Sequence, residues 1–231
     1  MKSSVVSSKQ QEVQRIADVL STAIAQHRLR PGVRLVEAHI VEALQANRNH
    51  VQAALQRLAM ERIVDIERNR GATVAQPSAR EAREIFAARR AVERAIVEGI
   101  TPVRVAEHRK RIDQHMRDEC TVTAGTDRRL IVRVLCEFHL LLGEVSGNRV
   151  LAEILGNLMV RSSLIVALYQ RGDSPPCASC EHQAIIDALR EGDTEMAVKQ
   201  MIAHLDELEG QLTLDDVTPP EVNLKQALSG L

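Results

Sequence analysis

Apolar residues recur at three- and four-residue steps through most of this chain, and at alternate positions in one short stretch. Val13, Ile16, Ala17, Leu20 and Ile24 make a single stripe, which predicts a helix over residues 10–28 that stops at Arg30-Pro31-Gly32. A short helix follows from about Glu37 to Leu44, with Ala38, Val41 and Leu44 inward. Asn47 is placed to cap a third helix, 48–61, that buries Val51, Ala54, Leu55, Leu58 and Ala59. The runs Ile63-Val64-Asp65-Ile66 and Ala72-Thr73-Val74 surround Asn69-Arg70-Gly71 and read as a β-hairpin. Residues 1–76 therefore form a winged helix-turn-helix.

Gln76-Pro77-Ser78 marks a boundary, because Pro77 ends the strand and Ser78 can cap the next helix. Helices are predicted near 79–99, 102–120, 127–147, 149–170, 178–191 and 194–211. Short connections make residues 77–212 an antiparallel six-helix bundle. The fold class is mainly α. Residues 213–231 carry Pro219-Pro220 without a packing pattern and read as a mobile tail.

Composition narrows the chemistry. With 45% hydrophobic and 26% charged residues the chain is ordinary for a globular protein. Phe86, Phe138 and Tyr169 are its aromatics, too few to stack unpaired bases, so single-stranded nucleic acid is disfavoured. Residues 1–76 hold 11 Lys and Arg against 7 Asp and Glu, and the rest hold 19 against 24. A basic head on an acidic body suits phosphate contact by the head. The start lacks the apolar stretch of a signal peptide, and no run approaches the roughly 20 apolar residues of a membrane span. Four cysteines in that context read as reduced thiols, and the protein is expected in the cytoplasm without a membrane partner.

Helix-turn-helix proteins lay the start of the second helix in the major groove of double-stranded DNA. Arg48, Asn49, His50 and Gln52 occupy that end here. Arginine can take guanine O6 and N7, and glutamine adenine N6 and N7. A solvated polar face is the alternative. Arg68 and Arg70 on the wing either reach phosphate or the minor groove, or sit in solvent.

In the second half, His139, His182 and His204 fall within separate helical patterns, which a bundle can bring together. Cys177-Ala178-Ser179-Cys180 is a CxxC able to form a disulfide or bind a soft metal, but it lacks the second pair of a structural zinc site. Cys120 and Cys136 read as small core residues, and His27, His39, His108 and His115 as solvated.

Leu29-x-Pro31-Gly32-x-x-Leu35-x-Glu37, Arg48-x-x-Val51-x-x-Ala54-Leu55-x-x-Leu58 and Asn69-Arg70-Gly71-Ala72-x-Val74 resemble the winged-helix head of GntR-type regulators. Phe86, an arginine at 90, Glu93, Phe138-His139, Ser146-Gly147-Asn148, Glu181-His182, Gly192-Asp193 and His204-Leu205 are similar to the FadR-like branch with an FCD effector domain. The chain departs from the pattern at Gln52 and Ala53, where arginine and an acid are usual, and at Gln45 and Arg62, where glycine is usual. Gln52 is expected to shift the half-site toward adenine.

The resemblance implies a homodimer on an inverted-repeat operator, a repressor, whose affinity is set by a small carboxylate in the helical domain. It implies effector contacts from Arg90, His139, His182 and His204, with Arg90 as a bidentate fork; an ion pair with Glu93 or a neighbouring helix is the alternative. The family's divalent ion is held by three histidines, matched by His139, His182 and His204, and by an aspartate four residues before the first. That aspartate is Leu135 here. Zinc on three imidazoles and a metal-free pocket both stay open. A thiol-based sensor using Cys177 and Cys180, and a three-histidine metalloenzyme, are competing functions; the sequence holds no nucleophile motif and is read as no enzyme.

Overall fold

A computed structural model describes residues 8–67, 71–170 and 179–214. The head comprises α1 (Ser8–Ala25), β1 (Arg34–Leu35), α2 (Glu37–Leu44), α3 (Arg48–Met60), β2 (Val64–Glu67) and β3 (Gly71–Val74). Its core is apolar: Ile16, Leu20 and Ile24 of α1 meet Val51, Leu55 and Leu58 of α3. On α2 the buried residue is Ile40, while the expected Ala38 is exposed, because the helix leans on α3 one step further round.

The wing has three strands in the order β1-β3-β2, all antiparallel. β1 escaped sequence reading because two residues cannot show alternation. Its entry is held by Gly32, whose N–H donates to the Val74 carbonyl and whose φ of +80° suits a glycine. Gln45 (φ 49°) and Arg62 (φ 58°), the two positions where glycine is usual, are both left-handed. The fold persists without glycine, at a local backbone cost.

The body comprises α4 (Ala79–Glu98), α5 (Pro102–Glu107), α6 (Arg109–Thr123), α7 (Arg128–Ser146), α8 (Arg149–Tyr169), α9 (Ser179–Glu191) and α10 (Thr194–Gly210). Ser78 Oγ caps α4 by accepting from Glu81 N at 3.1 Å. One expected helix is divided: at His108 the ring Nδ1 donates to the Arg104 carbonyl, so α5 closes and α6 begins. The start of the expected tail is pinned, since Thr213 N donates to the Tyr169 carbonyl and Arg83 to that of Leu214. The rest of the tail, from 215, lies outside the described residues.

α8 is long and apolar enough to cross a membrane by composition alone, contrary to the expectation of no such run. Here it is a shared core helix. Leu155, Met159 and Ile165 face the body, whereas Leu164 is buried in the head's core with Val160 beside it. The His27 ring donates to the Ser163 carbonyl at 2.9 Å, and Asn157 donates to the Glu61 carbonyl at 3.0 Å. His27, expected in solvent, is half-buried at this junction.

Candidate functional site

Asn47 holds extended backbone before α3, and its Oδ1 accepts from Asn49 N at 2.8 Å. The cap leaves Arg48 and Asn49 exposed and His50 and Gln52 half-buried at the helix start. Arg48 Nε and Gln52 Nε2 both donate to Glu37 Oε2, at 3.2 and 2.9 Å. Glu37 opens α2, so the two halves of the motif are tied together at the polar end. Arg68 and Arg70 lie outside the described residues.

The second site is buried in the body. His139 of α7, His182 of α9 and His204 of α10 come together with their ligand atoms within 4.8 Å of one another. Each imidazole is held through Nδ1 by a carboxylate from another helix. His139 donates to Glu93 Oε2 at 2.5 Å, His182 to Glu119 Oε2 at 2.8 Å and His204 to Glu181 Oε2 at 2.7 Å. Phe138 stacks on His182 with centroids 3.7 Å apart and fixes that ring's plane. Glu181 thus serves His204 and not its neighbour His182, and the carboxylates on the three rings arrive across helix interfaces.

Since a carboxylate only accepts, each Nδ1 carries the proton and each Nε2 of a neutral ring presents a lone pair. The Nε2 atoms of His139 and His204 stand 3.4 Å apart. Two lone pairs at that distance repel unless a proton or a cation lies between them. Nitrogens each about 2.05 Å from a tetrahedral ion are about 3.3 Å apart, so the spacing of this pair matches two ligands of a zinc-sized ion. Burial pushes His139 down to about 4 and His182 to about 3, against the pull of their carboxylates, which leaves both neutral as ligation requires. Burial also works to raise Glu93, but Arg89 and His139 outweigh it and hold the carboxyl at about 2. Three carboxylates against the single Arg89 guanidinium give this cluster a formal charge that a dication would balance. The anion that Leu135 fails to supply is replaced one shell further out.

Arg90 is not in this site. It is a surface residue whose Nη1 donates to Asp206 at 3.1 Å and Glu209 at 2.6 Å on α10. Arg89 is the buried arginine: Nε donates to Glu93 Oε1 at 2.8 Å and Nη1 to Ser162 Oγ at 3.1 Å. The signal was present in the sequence, because Ala82, Ile85, Arg89, Glu93 and Ile96 lie on one apolar stripe that Arg90 leaves. Arg89, Leu135, Cys136, His139, Ser162 and His204 line a cavity of about 30 Å³, with Ser163 and apolar side chains completing its wall. That volume takes an ion and few waters, so a larger ligand must move side chains.

Cys136, read as a small core residue, lines the cavity beside Leu135, and burial pushes its thiol up to about 11. Cys120 is exposed on α6, not in the core. Cys180 is exposed, and Cys177 lies outside the described residues. His115, expected in solvent, is largely covered and faces Glu119 at 3.5 Å.

A winged helix-turn-helix joined to a helical body is the architecture of a DNA-binding transcriptional regulator. The chain belongs to the GntR family of bacterial regulatory proteins: that family's model matches residues 12–74, and the FCD domain matches 84–207, more than half of the chain. It is 23% identical over 177 residues to the HTH-type transcriptional regulator YdhC of Bacillus subtilis, covering 76% of this chain and 79% of that protein. Among solved structures, a GntR transcriptional regulator from Rhodococcus sp. RHA1 matches with a TM-score of 0.74 at 28% identity, over 87% of this chain and 97% of its own. McbR/YncC of E. coli matches with a TM-score of 0.73 at 20% identity, over 90% and 99%, and speaks for the fold alone. The family consists of bacterial regulatory proteins, so the protein is a transcriptional regulator and not an enzyme.

Proposed function

We propose that the protein is an effector-responsive repressor that works in the cytoplasm as a homodimer on an inverted-repeat operator. The split between reading head and sensing body falls at Gln76-Pro77-Ser78. Arg48, Asn49, His50 and Gln52 read base edges, with Arg68 and Arg70 supporting from the wing. Two-fold symmetry of a dimer demands paired half-sites.

The effector is a small carboxylate taken by Arg89, in place of Arg90, with His139, His182 and His204. The observation that carries this reading is the buried set of three imidazoles, each aligned by its own carboxylate, with the Arg89 guanidinium beside His139 and His204 in the cavity wall. A divalent ion, zinc by the chemistry of imidazole, is held by His139, His182 and His204. When bound it supplies a positive centre for a carboxylate oxygen. The protein's own part is to keep His139 and His182 neutral, to orient all three rings, and to offer Arg89 to the second oxygen.

The route to DNA runs along α8. Ser162 accepts from Arg89 in the cavity, and the next residue, Ser163, accepts from His27 of the head. An effector that draws Arg89 from Ser162 therefore acts one residue away from the junction.

The test is a gel shift of the full chain on the DNA upstream of its own gene, with small organic acids selected by thermal shift. Release by an acid that also raises the melting midpoint, both effects lost in an Arg89→Ala chain that still melts cooperatively and still binds the duplex, supports the reading. Release that persists in Arg89→Ala defeats the effector assignment. No binding to any duplex defeats the operator assignment.

A further inference from the structure

We propose that Glu37 is the positioning residue that decides which bases α3 accepts. The inference rests on α3 being the reading helix. Arg48 and Gln52 lie four residues apart on one face of α3, and both donate to the same oxygen, Oε2 of Glu37, from across the turn. Glu37 thereby fixes two side chains that solvent would leave mobile; Arg48 is 74% exposed and Glu37 34%.

The chemistry of the acceptor sets what remains on offer. Arg48 spends Nε on Glu37, which leaves Nη1 and Nη2 as an end-on fork matching guanine O6 and N7. Its charge is also tethered near the helix start, so it cannot swing away to a phosphate, a contact that would carry no sequence information.

Gln52 is constrained more sharply. A carboxylate has no proton to give, so the amide must turn its nitrogen toward Glu37 and its carbonyl oxygen away. One N–H and Oε1 then face outward. A donor beside an acceptor complements adenine, which offers N7 and N6–H. Guanine offers two acceptors, O6 and N7, and would need both amide protons. Without Glu37 the amide can flip and satisfy either purine, so the preference for adenine over guanine comes from α2, outside the reading helix.

The test uses the full chain and selection of bound duplexes from a random pool. Affinities are then measured for the selected duplex, for that duplex with guanine in place of adenine at the Gln52 step, and for a scrambled duplex. The unaltered chain is expected to prefer adenine by about tenfold or more, the scale of one bidentate contact. Glu37→Ala is expected to reduce that preference to within about twofold. Its binding to scrambled duplex should hold or strengthen, since a negative charge near the phosphates has gone.

Glu37→Gln keeps the shape of the side chain but can itself flip, so it should retain an intermediate preference. Melting temperatures of both variants establish that the head is folded. An adenine preference that survives in full in both variants overturns the proposal. So does an equal loss on selected and scrambled duplexes at an unchanged melting temperature, which would make Glu37 a general support. If the unaltered chain selects no sequence, or Arg48→Ala binds the selected duplex as well as the unaltered chain does, the reading of α3 itself has failed.

Discussion

The head and the body place their polar chemistry on opposite sides of their cores. In the head an unbroken aliphatic core carries Arg48, Asn49, His50 and Gln52 outside it, where water satisfies whatever they do not bond. In the body Arg89, Glu93, Glu119, His139, His182 and His204 are themselves inside, between apolar clusters, and each must be satisfied by another. A surface face can change letter by letter and alter only what it reads. A buried constellation stands or falls together, because removing one member strands the charge or lone pair of the next.

The sharpest break in that contrast is Arg89→Ala, which leaves Glu93 buried without its guanidinium. A loss of about 3–5 kcal/mol is expected in denaturant unfolding. Gln52→Ala in the head should change unfolding by no more than about 0.5 kcal/mol while altering DNA binding.

Metal binding comes next. Elemental analysis of tag-free protein should find an ion that His182→Ala abolishes, whereas Glu119→Gln, at a residue that reaches His182 only through the ring's far nitrogen, should weaken binding by roughly 10–100-fold. Undiminished binding in Glu119→Gln would show that the carboxylates merely fill space.

Acid separates the two regions in stripped protein. Buried His139 and His182 titrate near 4 and 3, whereas in the unfolded chain each takes a proton below about 6.5. Their neutral burial is therefore matched above pH about 6.5, and stability drains as pH falls toward 4. The carboxylate of Glu93, held at about 2, adds its own loss only below about 4.5. The melting midpoint should begin to fall well above the carboxylate range; a flat profile down to pH 5 would contradict the buried neutral rings.

The smallest effects lie at the surface. Gln45→Gly or Arg62→Gly relieves a left-handed residue and should stabilise the head by about 0.5–1 kcal/mol. Arg90→Ala should cost under about 1 kcal/mol and leave the effector response intact, because its partners Asp206 and Glu209 remain hydrated.

Periodicity made the helices and the head's core legible, since a stripe every three or four residues states both an element and its inner face. It could not show β1, whose two residues pair with β3 through backbone alone, nor the division at His108, which turns on one ring bonding one carbonyl. In the site, the three histidines could be read because each stands in its own helical pattern. Glu119 could not, because its partner His182 lies 63 residues away and no local spacing joins them. Arg89 and Arg90 show the finer limit. Matching a motif by type chose between adjacent arginines, whereas the apolar stripe through Ile85 and Ile96 had already settled which one faces inward.

Neighbouring residues of α8 serve two masters: Ser162 and Ser163 both line the cavity, and the Ser163 carbonyl also holds the head through His27. If the two ends are energetically coupled there, thermodynamics makes the influence mutual: the factor by which effector weakens operator binding equals the factor by which operator weakens effector binding. The DNA-bound fraction would then sense its metabolite less keenly than the free fraction does. Raising the number of operator sites in a cell would shift the apparent threshold for induction upward, with no change in any side chain.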